Sequence, residues 1–202
     1  MAHEGLWKQL ERCEGIKTAE RAKCRYLSKP ERYILRLLNT EYVIHLSDKK
    51  IFSKQPNPSQ KPAEFLQQLC LLAYLINARD LQLANKLVRA ETLPGGQFFF
   101  RGPHRLPTQK LEKAFGNHPE FLYQIAGHFN AKRCEFGDAS IELYVLPRVP
   151  LTIVIWGRCA EFDARASILF DQTAASQLPL DALLAVVNLT VEALINIHSL
   201  EA

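Results

Sequence analysis

The spacing of apolar residues predicts helices at the start of the chain and strands soon afterwards. One set recurs at helical spacing and predicts an amphipathic first helix: Leu6, Trp7, Leu10 and Cys13. This helix is expected to end near Gly15, and a second short helix is expected to begin near Thr18. Residues 32–52 form β-rich runs separated by turn signals and predict a hairpin or a three-strand meander. The proline-rich residues 53–62 predict a surface loop.

The middle of the chain predicts a strong helix followed by two short strands. Pro62 is expected to open the helix, since proline suits the first helical position. The helix has one broad apolar face: Phe65, Leu66, Leu69, Leu72, Ala73 and Ile76. Residues 86–94 alternate like a strand, and Phe98–Phe100 predict another short strand before the Gly102-Pro103 break.

The last third predicts antiparallel strands and a long terminal helix. Thr108 is expected to cap a short helix that Gly116 ends, and residues 117–120 are expected to form a capping box for the next helix. Three alternating runs then predict strands: residues 140–147, 150–157 and 166–171. Residues 178–200 predict a long amphipathic helix.

Together these elements predict a single α+β domain. A largely antiparallel sheet would pack with several helices, the long C-terminal helix among them. Within this arrangement residues 1–29 are expected to be an N-terminal helical extension, and residues 30–202 the α+β domain itself.

Charge and composition narrow the classes of protein. The net charge of +4 is concentrated in residues 1–62, where 13 Lys and Arg stand against 7 Asp and Glu. Acidic residues interrupt this basic third and no nucleic-acid-binding motif is present, so a solvated face is expected rather than a nucleic-acid site. We find neither a signal sequence nor a membrane span, and we therefore expect a cytoplasmic protein without a membrane partner.

The five cysteines give no support for a disulfide framework or a metal site. Their number is odd, they are widely scattered, and no C-x-x-C pair occurs. Reduced thiols are therefore expected, and no metal ligands are predicted. The cofactor, if the chain uses one, stays unknown at this stage.

His104 is the first candidate functional residue. It lies between Pro103 and the Leu106-Pro107 pair, so the chain holds its imidazole in a rigid turn, with Arg101 close by. Such a histidine can bind a ligand or transfer a proton. The alternative interpretation is a histidine that packs at, or caps, a strand-to-helix turn.

Arg148 is the second candidate, because it stands between Pro147 and Pro150 at the junction of two strand-like runs. A guanidinium held there could clamp a carboxylate or phosphate group. The alternative is a solvent-facing hairpin tip.

The third set of candidates is acidic and consists of Glu161, Asp163 and Asp171. Such carboxylates can serve acid–base chemistry or bind a hard cation. A carboxylate at the end of a strand is more often a cap for the next turn.

Several of these stretches resemble one known family. They are "LPGGQFFFRGPHRLP", "GDASIELYVLPRVPLTIVIW" and "ILFD", the last followed by a helix that Leu-Pro opens. Together they resemble domain of unknown function 3786, found mainly in anaerobic bacteria and archaea. The resemblance covers roughly residues 30–197. It implies no assigned activity and therefore no catalytic residues.

The resemblance also implies an association and shows two departures. Some relatives look to be fused to a small iron–sulfur domain of the type seen in corrinoid proteins, which implies a tie to corrinoid-dependent one-carbon metabolism. In this chain the N-terminal segment has only Cys13 and Cys24, too few for a cluster. Relatives often carry an acidic run after the tryptophan, where residues 157–162 keep only Glu161, which puts a cation site in doubt.

We therefore expect a ligand-binding or accessory module. The predicted pocket holds a small anionic ligand between Arg101 and Arg148, uses His104 as a donor or ligand, and has Trp156 as an apolar wall with Asp171 nearby. One alternative is an enzyme that uses His104 as a general acid or base with an acidic partner. Another is a scaffold whose basic N-terminal helices dock an acidic protein.

Overall fold

Two antiparallel sheets and two central helices share one hydrophobic core. The computed structural model describes residues 3–54 and 61–201, with the backbone alone at residue 201. The first sheet has the order β1-β2-β3-β4: Arg25–Ser28 (β1), Glu31–Leu37 (β2), Thr40–His45 (β3) and Lys50–Ser53 (β4). The second has the order β5-β9-β8-β7-β6: Leu87–Arg89 (β5), Lys132–Arg133 (β6), Ala139–Leu146 (β7), Val149–Trp156 (β8) and Arg165–Asp171 (β9).

Within those ranges eight α-helices surround the sheets. They are Glu4–Leu10 (α1), Gly15–Ala22 (α2), Phe65–Asn77 (α3), Gly96–Phe99 (α4), Thr108–Phe115 (α5), Phe121–Ile125 (α6), Ala174–Gln177 (α7) and Leu180–Glu201 (α8). Short 3₁₀ turns also occur, at Ala90–Thr92, Gly102–His104 and Ala126–Phe129. The predicted α+β class, the antiparallel pairing and the long C-terminal helix are confirmed.

The first sheet is a meander in which each strand pairs with the next along the chain. The predicted strands of residues 32–52 are confirmed as β2 to β4. In β2 the buried positions are Tyr33, Leu35 and Leu37, so one face is turned to the core at two-residue spacing. β1 adds a fourth strand; most of its residues are exposed, so it lacks the alternation that predicts a strand. The loop predicted at 53–62 lies mostly outside the described residues, from 55 to 60.

The second sheet has β8 as its middle strand, and the strands predicted at 140–147, 150–157 and 166–171 are confirmed as β7, β8 and β9. β8 pairs antiparallel with both β7 and β9. Every residue of β8 is buried except Trp156 at its end. Because the β7–β8 turn holds Arg148, that residue and Trp156 lie at opposite ends of the same strand.

α3 and α8 pack against each other in the core. The predicted start of α3 at Pro62 is wrong, since the helix begins at Phe65. The Glu64 side chain accepts a backbone N–H in the first turn, and the Gln67 side chain accepts the Glu64 N–H at 2.9 Å, so a capping box starts the helix. Pro62 instead forms an isolated bridge with Phe52.

α8 reaches the length and apolar content of a membrane span, which we did not expect of any run in this sequence. A core helix of a soluble domain meets the same two criteria. Here α8 contacts α3, α5, α6 and α7, and buries Leu183, Val187 and Leu194.

The strand predicted at Phe98–Phe100 is wrong, because Gly96–Phe99 is a single helical turn. Gly95 precedes this turn with a φ of 77°, in the left-handed region that glycine adopts without strain. The Gly96 N–H then donates to the Leu93 carbonyl at 2.8 Å, which closes the chain into a turn. Three consecutive phenylalanines favour a strand by propensity, but this turn overrides that preference.

Three other predicted helix starts also differ. The second helix begins at Gly15 rather than near Thr18, and Thr108 is the first residue of α5 rather than its cap. The capping box at residues 117–120 is wrong: Glu120 contacts the His118 ring at 3.1 Å, and no side chain caps α6.

The N-terminal helices pack on the rest of the domain. Trp7 and Leu10 are each 1% exposed and belong to the same core as α3, which α1 and α2 contact. β1 also falls within the residues that we expected to form a helical extension. The boundary proposed at residues 29 and 30 stays a prediction.

Gly96→Ala is expected to reduce the free energy of unfolding by about 1–3 kcal/mol. A Cβ at Gly96 would lie 2.0 Å from the Ala90 carbonyl oxygen, so the backbone would have to move. Gly5→Ala in α1 is the matched control, because nothing lies within 4 Å of its added Cβ. The control should lose nothing and gain up to about 1 kcal/mol. Urea unfolding of both variants measures this, and equal stabilities would contradict the packing at Gly96.

Candidate functional site

The connection between α3 and β5, residues 78–86, contains neither helix nor strand and is mostly exposed; we call it the connecting segment. Backbone N–H and C=O groups need hydrogen-bond partners, and an irregular segment cannot provide them all itself. Buried or half-buried side chains from other elements supply several of these partners. The candidate site lies where this segment meets the β7–β8 turn.

Arg148 lies in that turn and is 7% exposed. Its Nε donates to the Arg21 carbonyl at 2.7 Å and its Nη1 to the Leu81 carbonyl at 3.2 Å. Its Nη2 donates to the Asp80 carboxylate, which forms an ion pair with it. The Asp80 side chain is itself 80% exposed. A buried guanidinium is thus paired with a carboxylate that stands in solvent.

Arg21, on α2, closes the C-terminal end of α3. Its Nη1 donates to the carbonyls of Ile76 and Ala78 at 2.8 and 2.7 Å, and its Nη2 donates to the Leu75 carbonyl at 2.7 Å. The last carbonyls of a helix have no partner within the helix, so a cation there stabilises it. Because the Arg21 carbonyl also accepts from Arg148, the two arginines connect α2, α3 and the hairpin.

Gln177 holds the start of the connecting segment. Its side chain is fully buried in α7 and forms two hydrogen bonds with the backbone of Arg79. The Arg79 N–H donates to Oε1 at 2.9 Å, and Nε2 donates to the Arg79 carbonyl at 3.2 Å. The side chain thus bonds both the N–H and the C=O of one residue, as a neighbouring antiparallel strand would.

Asp171 holds the far part of the same segment from the end of β9. Its Oδ1 accepts from the Ala84 N–H at 3.1 Å, and from the N–H and hydroxyl of Thr173 at 2.9 and 2.6 Å. Burial alone would raise the pKa of Asp171, but these hydrogen bonds outweigh burial and lower it. Asp171 therefore caps the turn after its strand, the interpretation we gave as commoner for such a carboxylate.

A cavity of about 620 Å³ lies beside Arg148. We call it the Arg148 cavity. Its lining comes from the connecting segment, the hairpin and the end of α2: Lys23, Asp80, Leu81, Gln82, Leu83, Asn85, Tyr144, Pro147 and Arg148. Two of these residues are cationic and one is anionic. Among the described residues no carboxylate pairs with the Lys23 ammonium.

The structure brings Arg148 and Asp171 to the same end of the second sheet but places Trp156 at the other. The eight residues of β8 span about 23 Å between its ends. Trp156 is 41% exposed and lines a different cavity of about 790 Å³ with Phe162, Cys159 and Arg165. The five residues predicted as one pocket therefore do not meet in one place.

Arg101 and His104 lie in a third place, on the exposed turns between α4 and α5. The His104 ring stacks on the Phe99 ring, with centroids 4.6 Å apart, and the Arg101 guanidinium lies 5.8 Å from the Phe98 ring centroid. No carboxylate of the described chain is bonded to His104, although the general acid–base hypothesis requires one. Stacking on Phe99 agrees with the packing interpretation.

The remaining acidic candidates form no cluster. Asp163 pairs with Arg158 at 3.4 Å on the surface. Over the described residues no group of three or more His, Cys, Asp or Glu side chains is placed to hold a metal ion.

Sequence reasoning missed Arg21, Lys23, Asp80 and Gln177. Only the proline frame around Arg148 pointed to this end of the molecule. A glutamine on a short helix and an arginine on an amphipathic one carry no pattern that distinguishes them from surface residues.

The fold and the site define an α+β domain with two antiparallel sheets and a cationic cavity at a hairpin turn. The chain belongs to the family Domain of unknown function (DUF3786), whose sequence model matches residues 16–193. The family suspected from the sequence motifs is thus confirmed. Comparison with curated proteins and with solved structures found no match.

Asp171→Asn is expected to lower the free energy of unfolding at pH 7 by about 1–3 kcal/mol, because a charge-assisted acceptor is lost. The folded pKa lies below the ordinary value of 3.8, so the contribution of the carboxylate is full above that pH. It is lost as the pH falls through the folded pKa, since the unfolded state then takes up the proton first.

The measurement is urea unfolding of both proteins between neutral and acid pH, with the exposed Asp163→Asn as control. The difference between wild type and Asp171→Asn should shrink below about pH 4. A difference that stays constant with pH, or a control that loses as much stability, would contradict this account.

Proposed function

We propose that the chain is a binding module that holds a small anionic ligand in the Arg148 cavity, where the ligand takes the place of the Asp80 carboxylate. One observation carries the proposal: a 7% exposed guanidinium is paired with a carboxylate whose side chain is 80% exposed. The Asp80 carboxylate shows the kind of group to which this arginine donates hydrogen bonds. A ligand with a carboxylate or phosphate group offers the same oxygens.

The guanidinium is held in a fixed orientation before any ligand arrives. Its bonds to the carbonyls of Arg21 and Leu81 use one N–H of Nε and one of Nη1. The pair with Asp80 uses one N–H of Nη2. A guanidinium has five N–H groups, so two others are available to an anion. Fixing the donor in advance reduces the entropy lost on binding.

The rest of the lining suits a small anion. Lys23 supplies a second positive charge, and Gln82, Asn85 and Tyr144 supply polar groups. The volume of about 620 Å³ falls in the range of small-molecule sites. These features support a carboxylate- or phosphate-bearing metabolite.

The scaffold hypothesis finds less support in the N-terminal helices. Lys8, Lys17 and Lys49 pair with glutamates of the same region at 2.7–2.8 Å. These pairs reduce the positive field that would attract an acidic protein.

The tie to corrinoid-dependent one-carbon metabolism rests on family association alone. Our proposal defines the ligand by its charge and size instead. The cytoplasmic location stays an expectation from the sequence.

Asp80→Ala is expected to raise the affinity for an anion about fivefold, because it removes the internal competitor. The Asp80 side of this ion pair is solvent-exposed, so the pair contributes about 1 kcal/mol. Inorganic phosphate and succinate are the two probes, titrated by calorimetry at low ionic strength. Lys23→Ala should weaken the same probes, since it removes the second cation.

Asp163→Ala removes a carboxylate that is also exposed but lines the cavity with Trp156 instead. It should leave both affinities unchanged. Equal gains in affinity for Asp80→Ala and Asp163→Ala would show that the effect comes from net charge alone. Absence of binding by wild type and Asp80→Ala alike would refute the proposal.

A further inference from the structure

The Arg148 cavity has an apolar wall beside its cationic end, and binding of a bare anion does not use that wall. Its apolar residues are Leu81, Leu83, Tyr144 and Pro147. Leu81 is 40% exposed and Tyr144 is 48% exposed, whereas most large apolar residues of the described chain are buried in the core. A ligand that covers such surfaces gains free energy by removing them from water.

Leu81 places part of this wall directly beside the guanidinium. Arg148 Nη1 donates to the Leu81 carbonyl at 3.2 Å, so the backbone of this leucine contacts the cationic group. The Leu81 side chain lines the same cavity, as does Pro147, the residue before Arg148. An oxyanion bound to Arg148 is therefore close to apolar surface.

The Tyr144 ring continues the wall along the connecting segment. Burial raises the pKa of Tyr144, and the nearby carboxylates of Glu142 and Asp171 raise it further. Asp171 also accepts the Ala84 N–H, so the phenol group lies beside the later part of the segment. The apolar wall thus extends from the guanidinium toward Tyr144.

The volume of the cavity also exceeds what a bare anion needs. About 620 Å³ falls in the range of cavities that hold drug-sized ligands. A phosphate ion would occupy a small part of this volume and would leave the apolar wall in water. A ligand with a ring beside its anionic group fills more of the cavity and covers the wall.

We infer that the ligand of the Arg148 cavity is an aromatic anion, an aryl carboxylate or an aryl phosphate; this inference rests on the proposed function. The oxyanion takes the place of Asp80 on Arg148, and the ring packs against Leu81 and Tyr144. Contact between two aromatic rings adds to the free energy that burial alone provides.

Four probes separate the charged group from the ring: acetate, benzoate, cyclohexanecarboxylate and benzyl alcohol. Each is titrated into the full chain at low ionic strength and followed by NMR. Benzoate should bind about tenfold more tightly than acetate, because its ring covers the wall. It should also bind more tightly than cyclohexanecarboxylate, which has no aromatic ring, and than benzyl alcohol, which has no charge.

The outcomes distinguish this inference from the proposed function. Equal affinities for benzoate and acetate would overturn the inference, while saturable binding of both would leave the anion site intact. Cyclohexanecarboxylate or benzyl alcohol binding as tightly as benzoate would also overturn it. If no anion binds, the inference and the proposed function both fail.

Tyr144→Thr removes the ring and keeps a residue that suits a strand. Its affinity for benzoate should fall to near that for acetate, and its affinity for acetate should not change. Phe136→Thr is the matched control, because Phe136 is also 48% exposed but does not line the cavity. An unchanged benzoate-to-acetate ratio in Tyr144→Thr, or equal losses in the two variants, would contradict the contact with Tyr144.

A second variant tests the wall without altering β7. Leu81→Ala keeps the carbonyl that Arg148 uses and removes most of the side chain. It should weaken benzoate and leave acetate unchanged. Asp80→Ala, in contrast, should raise both affinities by the same factor, because it alters only the site of the oxyanion. A benzoate affinity that Leu81→Ala leaves unchanged would contradict the proposed position of the ring.

A final comparison identifies the oxyanion. Phenyl phosphate and benzoate carry the same ring on different charged groups. Tighter binding of phenyl phosphate indicates an aryl phosphate, and the reverse order indicates an aryl carboxylate. Nuclear Overhauser effects between the ring protons of the tighter probe and those of Tyr144 should locate the ring. Such effects with Phe136 instead would refute the inference.

Discussion

The need to satisfy the backbone of the connecting segment determines much of this structure. A stretch without helix or strand has no ladder of its own, so its backbone groups bond to side chains of other elements or to water. Here the partners come from α2, the β7–β8 turn, β9 and α7, at sequence separations of 57 to 98 residues. Ordering the segment therefore brings together parts of the chain that lie far apart in sequence. The core and this connection depend on each other.

The same constraint prepares the candidate site. Burying a guanidinium is costly unless its donors are bonded, and Arg148 meets that condition through two carbonyls and a carboxylate. The two carbonyls belong to rigid backbone, whereas the carboxylate of Asp80 belongs to an exposed side chain. The two carbonyls hold the guanidinium to the backbone, and in the proposed function the ligand replaces the remaining contact with Asp80.

Periodicity predicted the elements well because α3, α8 and β7 to β9 bury one or both faces over many residues. It failed at Phe98–Phe100, where a turn begun by Gly95 overrides β propensity. The predicted pocket failed for another reason. The apolar run of β8 predicts that its residues are buried, but not that Arg148 and Trp156 lie at its two ends and line different cavities. The role of Gln177 could not be predicted from the sequence, because its two hydrogen bonds go to the backbone of Arg79, 98 residues away.

In the connecting segment, the backbone groups that fix the path of the chain belong to other residues than the side chains that line the Arg148 cavity. Gln177 and Asp171 form hydrogen bonds with the peptide groups of Arg79 and Ala84, not with their side chains. The side chains of residues 82, 83 and 85 line the cavity without carrying this hold. If the Arg148 cavity binds an anion as proposed, substitutions at these three positions would change which ligand it accepts while the path of the chain persists. Hypervariable loops on a rigid scaffold divide the two roles in the same way.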